Sequence, residues 1–105
     1  MLHKDLDAWK RAIEFITDIY IITKKFPEEE RFSLVSQLRR SATSIASNIA
    51  EGSGRNSDKE LIQFLYIALG SAAETETQLI IASRIGYIDS GHNIFTKLEE
   101  IRKPL

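Results

Sequence analysis

The residues best placed to do chemistry lie between Gln37 and Gln78. Gln37, Ser41, Ser44, Asn48 and Glu51 recur at steps of four and three, which sets them on one face of a helix. Further along, Glu74 and Gln78 are one helical turn apart. Carboxylates on two neighbouring helices suit general acid–base work. They would also hold a pair of metal ions if Glu-x-x-His pairs accompanied them, but this chain has none. His3 and His92, its two histidines, have no partner at ligand spacing. No serine stands in a nucleophile-elbow pattern, and Gly52-Ser-Gly54 is short and lacks the lysine of a phosphate-binding loop. The expectation is therefore no catalytic residue, no metal, no cofactor and no small-molecule substrate. Asn48, Glu51, Glu74 and Gln78 read as a structural polar motif, in which Asn48 and Glu51 are expected to be largely buried and hydrogen-bonded, with Arg55, Ser71, Glu74 and Gln78 as candidate partners.

Basic residues gather around the turn that follows this stripe. Arg39, Arg40, Arg55 and Lys59 are the candidate nucleic-acid contacts, because guanidinium and ammonium groups position phosphates. Against them stand Glu51, Asp58 and Glu60, which can neutralise the cluster through ion pairs. Arg39 and Arg40 also diverge by about 100° on a helix, so at most one is expected to face a given ligand. With 14 basic and 15 acidic residues the net charge is -1. That balance excludes a protein that coats nucleic acid through a strongly basic surface. A local patch on RNA or single-stranded DNA stays open, as does a scaffold that binds protein alone.

A chain of 105 residues can close one core, so a single domain over residues 1–105 is expected. Hydrophobic residues make up 43% and charged residues 28%, ordinary values for a globular protein. No run approaches the ~18 apolar residues of a membrane span. The start, Met1-Leu-His-Lys-Asp-Leu-Asp, carries charge where a secretory leader needs an apolar stretch. Cysteine is absent, which agrees with a reducing, cytoplasmic setting.

Four helices position these residues. The first spans about Asp5 to Lys25, with Leu6, Trp9, Ile13, Ile16, Tyr20 and Thr23 as the seam facing the bundle. A second row, Phe15, Ile19, Ile22 and Phe26, exceeds what a small monomer covers; Phe15, Ile19 and Ile22 are expected at a subunit contact, with a broad core-facing stripe as the alternative. Phe26-Pro27 breaks the chain, and helix two runs from about Glu28 to Glu51 with Phe32, Val35, Leu38, Ala42, Ile45 and Ile49 inward. Gly52 is the expected left-handed cap. Ser57 and Glu60 form a capping box that opens helix three, which ends near Ile85 with Gly86 as its stop. Its seam is Leu61, Leu65, Ala68, Ala72, Thr75, Leu79 and Ala82, and a second row carries Ile62, Tyr66, Leu69, Ala73 and Ile80. A short fourth helix holds Ile94, Leu98 and Ile101 and closes near Pro104. Short connections make neighbours antiparallel. The fold expected is all-α, an up-down-up-down antiparallel four-helix bundle.

Asn48-Ile-Ala-Glu-Gly52, Leu38-Arg-Arg40 before it and Arg55 after it resemble the signature of the 23S ribosomal RNA intervening-sequence proteins. The likeness continues through Phe64-Leu-Tyr-Ile-Ala-Leu-Gly-Ser71, Glu74-Thr-Glu-Thr-Gln78 and Gly86, and covers about Leu6 to Tyr87. It implies a four-helix bundle, and a ring-like homo-oligomer, a pentamer, acting as a scaffold. Two features depart from the family pattern. Ala46 stands where the family usually has proline, so no proline kink is required, and the fourth helix is shorter than is usual.

Overall fold

The computed structural model describes residues 6–105. His3 and the expected helix start at Asp5 lie outside the described residues. Four α-helices follow one another: α1 (Asp7–Thr23), α2 (Leu34–Ser53), α3 (Asp58–Ile85) and α4 (Ile94–Arg102), with a 3-10 turn at Glu28–Glu30 between the first two. No strand occurs among the described residues. α1 packs on α2, α2 on α3, α3 on α4, and α4 returns to α1, so the four close into a bundle. Its long axis measures 43 Å, the length that a helix such as α3 reaches at ~1.5 Å per residue. None of the helices is long and apolar enough to cross a membrane, among the described residues.

Local chemistry explains the element ends. Ser57 Oγ accepts the Glu60 N–H at 3.3 Å and opens α3. Gly86, at φ 94°, takes the left-handed conformation that ends α3. His92 serves at the start of α4, where its Nδ1 accepts the N–H of Ile94 at 3.0 Å.

Helix two begins later than its pattern predicts. Pro27 is extended at ψ 143°, the three glutamates form only the 3-10 turn, and regular helix starts at Leu34. Glu30 supplies the tertiary reason. Its carboxylate accepts the Ser33 hydroxyl at 2.7 Å and the Tyr87 hydroxyl at 2.8 Å, tying this turn to the α3–α4 connection. Those bonds, Ser33 first, hold the Glu30 pKa below its ordinary value, and the bond to Glu30 raises that of Tyr87. Phe26 and Tyr87 meet above this tie with ring centroids 5.2 Å apart. The delayed start throws Phe32 out of the core: expected inward, it is 87% exposed.

On α1 the second row takes the core-facing alternative and is the more deeply buried of the two. Phe15 is 1% and Ile19 0% exposed, Ile22 packs half-buried against them, and Phe26 is buried. They belong to the monomer's own core and do not form a subunit contact. From the expected seam Ile13 and Tyr20 are exposed, while Thr23 is buried and Leu6, Trp9 and Ile16 pack half-buried on the core. The physical reason is that α1 has two neighbours, α2 and α4. The row sealed is the one lying between both, which periodicity along a single helix does not identify.

Small residues set the α2–α3 approach. Ala42, Ala46, Ala68 and Ala72 are all buried there. Ala46 takes the proline position without interrupting α2. Gly52 is likewise a packing residue and not a left-handed cap. α2 continues past it to Ser53, and the residue after, Gly54, has φ -90°. A Cβ on Gly52 would sit 2.9 Å from Phe64 Cβ and 3.2 Å from Leu61 Cδ1. Phe64 Cβ moves only with its backbone, so Gly52→Ala must push the helices apart. Overpacking of this kind costs roughly 1–3 kcal/mol, and the better helix propensity of alanine returns about 1. A net loss of about 1 kcal/mol is expected, read as a lower urea midpoint; a gain in stability would contradict the close approach.

Candidate nucleic-acid interface

Across the α2–α3 seam runs a ladder of small polar side chains. Ser41 Oγ donates to Gln78 Oε1 at 2.9 Å, and Thr75 Oγ1 lies 2.8 Å from Ser41 Oγ. One turn along, Ser44 and Ser71 hydroxyls are 2.8 Å apart. Asn48 Nδ2 then donates to the Ser44 carbonyl at 2.8 Å and its hydroxyl at 3.0 Å. Every buried side-chain N or O among the described residues has a hydrogen-bond partner. Of the four motif residues expected here, Gln78 is buried and Asn48 half-buried. Glu51 and Glu74 are exposed, and for Glu51 this corrects the expectation of burial. Glu51 lies at the end of α2, where it pairs with Arg55 at 3.1 Å, and Glu74 only accepts a 3.3 Å bond from Gln78 Nε2. A charged carboxylate is costly to bury without a full set of partners. Ser41, Ser71 and Thr75 fill the seam in their place.

The four basic candidates separate into two groups. Arg39 and Arg40 sit near the start of α2, and Arg55 and Lys59 beyond its end, about 20 Å away along the helix. The turn that joins them in sequence therefore does not join them in space. Arg55 is neutralised by Glu51 and stacks over the Phe64 ring at 4.7 Å. Lys59 is exposed on the first turn of α3 between Asp58 and Glu60. At the other end of the chain Arg102 is held by Glu76 and Glu99, while Lys97 pairs with Asp18.

Arg39 and Arg40 instead share a groove with a residue the sequence reading passed over, Arg31. A hollow of ≈ 570 Å³ is lined by Tyr20, Arg31, Phe32, Val35, Ser36, Arg39, Arg40, Thr43 and Ser44. No acidic side chain lines it. Arg39 donates from Nε to Thr23 Oγ1 at 3.1 Å and lies over the Tyr20 ring at 4.5 Å. Arg31 lies over Phe32 at 5.3 Å and also makes an exposed 3.3 Å pair with Glu28. The broad opening lets long side chains converge from directions 100° apart, so both arginines reach it. The groove thus presents three guanidinium groups and two partly open aromatic rings, donors that fit a phosphate-bearing planar ligand. Arg31, Phe32 and Tyr20 were legible only as helix interior or seam; the break after Pro27 was the one available signal.

The comparisons with known proteins agree with this architecture. The family model described as 23S rRNA-intervening sequence protein matches residues 4–105. No curated protein matches the chain. Among solved structures, a protein of unknown function from the S23 ribosomal protein family of Bacteroides thetaiotaomicron is 33% identical. It superposes with a TM-score of 0.84, the match covering 92% of this chain and 93% of that one. A model spanning nearly all residues and a bundle of the same shape lead to one conclusion: the chain belongs to the 23S rRNA-intervening sequence protein family.

Proposed function

We propose that the protein is a non-enzymatic scaffold that assembles with further copies of itself, as a ring of five, and contacts RNA or single-stranded DNA. The observation that carries the reading is the outer row of α3. Ile62, Tyr66 and Ile80 lie on one face over about 27 Å and are 50%, 70% and 43% exposed. Leu69 and the terminal Leu105 join Ile62 and Tyr66 around an apolar hollow of ≈ 280 Å³. Contiguous apolar surface of this kind marks an interaction face. A second copy of the chain is the occupant we assign to it. Phosphate contact rests on the arginine groove, whose charge is not cancelled by the overall balance of -1. The exposed setting of Glu51 and Glu74 speaks against acid–base chemistry, which uses carboxylates held in a site shielded from water.

Light scattering after gel filtration tests the assembly. Five copies of an 11.9 kDa chain weigh about 60 kDa, and Ile62→Glu with Tyr66→Glu should yield monomers that keep their helix content. A wild-type monomer at micromolar concentration would remove the scaffold reading. The competing reading, a scaffold that binds protein alone, draws on the neutral total charge and on the pairing of Arg55 and Arg102. Filter binding at about 50 mM salt separates the two, since phosphate contacts are strong there and weaken steeply as salt rises.

A further inference from the structure

Phe32 and the α1–α2 groove go beyond a general affinity for phosphates. We propose that Phe32, with Tyr20 on the same groove, stacks unpaired bases of a single-stranded nucleic acid while Arg31, Arg39 and Arg40 hold its backbone. The inference rests on the nucleic-acid reading above and names the site and the form of the ligand.

Three observations converge on it. Phe32 is the most exposed large apolar side chain described, at 87%, although burying a phenylalanine is worth roughly 1.5–3 kcal/mol. The fold does not use its ring for packing. Both aromatic rings are also sandwiched on one side by a guanidinium, Arg31 at 5.3 Å and Arg39 at 4.5 Å. Such a stack leaves a flat surface on which a base lies against the ring or the guanidinium. Finally, Arg40 is exposed on the same groove, and Ser36 adds a hydroxyl along α2, whereas the Thr43 hydroxyl already donates to the Arg39 carbonyl at 2.7 Å. From Ser36 to Ser44 the groove follows about 12 Å of helix. That is room for a few nucleotides and too little for readout of a duplex. Paired bases hide their faces within the stack, so the exposed ring selects single strands.

The arrangement commits to unlike roles for neighbouring residues. Stacking is insensitive to counterions, whereas each phosphate contact adds to the salt dependence of binding. Removing the Phe32 ring should weaken affinity at every salt concentration by a similar factor. Removing Arg40 should weaken affinity and flatten the salt slope.

The test is fluorescence anisotropy of a labelled 12-nucleotide oligouridylate and the same-length RNA duplex with the intact protein at about 50–200 mM salt. Phe32→Ala should weaken single-strand binding by about 5- to 150-fold with an unchanged slope. Phe32→Leu should behave like Phe32→Ala, and Phe32→Tyr should restore binding, because a ring and not apolar bulk is required. Arg40→Ala should lower the slope by about one phosphate. Both side chains are exposed, so melting curves and particle mass should match the wild type. If the wild-type protein binds no oligonucleotide at 50 mM salt, the nucleic-acid reading itself fails. If it binds but Phe32→Ala leaves affinity unchanged, or the duplex binds as tightly as the single strand, the stacking site alone is overturned. A Phe32→Leu variant that falls apart into monomers would assign the groove to a subunit interface and overturn the site as well.

Discussion

Phe15→Ala should lower the stability of the folded chain by about 3–5 kcal/mol, the usual loss when a buried aromatic ring is cut back to a methyl group. The ring is 1% exposed and forms the inner row of α1 with Ala12 and Ile19, both fully buried. Its outer edge borders a hollow lined by Arg11, Glu14, Lys97 and Glu100, whose charged ends do not refill an apolar void. A domain of this size is stable by roughly 5–15 kcal/mol, so the variant gives up about a fifth of its stability or more. Urea unfolding followed by far-ultraviolet circular dichroism reads this directly. Phe32→Ala is the control: an exposed ring of the same type should move the midpoint by no more than about 0.5 kcal/mol. Were Phe15 a subunit-contact residue, its removal would change the particle mass while the separated chain kept its helix content. That pattern would restore the opposite orientation of α1.

Gln78→Leu should cost about 1–2 kcal/mol through a different mechanism. The replacement keeps the volume of the side chain and removes the acceptor of the Ser41 hydroxyl, which is 4% exposed. Ser41 has only a longer alternative, the Leu38 carbonyl at 3.3 Å, so the loss falls in the lower half of the range for an orphaned buried group. Thr75 loses little, because its hydroxyl also reaches the Ser71 carbonyl at 2.8 Å. Adding Ser41→Ala to Gln78→Leu should recover part of the stability, since no donor is then left without a partner. A double variant whose loss equals the sum of the single losses would show that the ladder contributes through packing alone.

Much of the candidate site was hidden from the sequence because its residues meet across elements. Arg39 and Arg40 were identifiable as basic positions, but linear proximity linked them to Arg55 and Lys59, and about 20 Å of α2 intervenes. Arg31 and Phe32 follow directly on the turn in which Glu30 is bonded to Tyr87, 57 residues away. No local pattern contains that bond.

What the sequence determined by itself was the set of elements: apolar recurrence at threes and fours marked the four helices, and Ser57 and Gly86 marked their ends. Its period-3.6 signal states that an apolar face exists but not which neighbour covers it. Tertiary structure alone decided that Phe15 and Ile19 turn inward on α1, that Glu51 points to solvent, and that Gly52 gives its missing Cβ to the approach of α3. The physical reason is the same in each case. Burial and close approach are properties of pairs of helices, and the partner of each residue lies dozens of positions away along the chain.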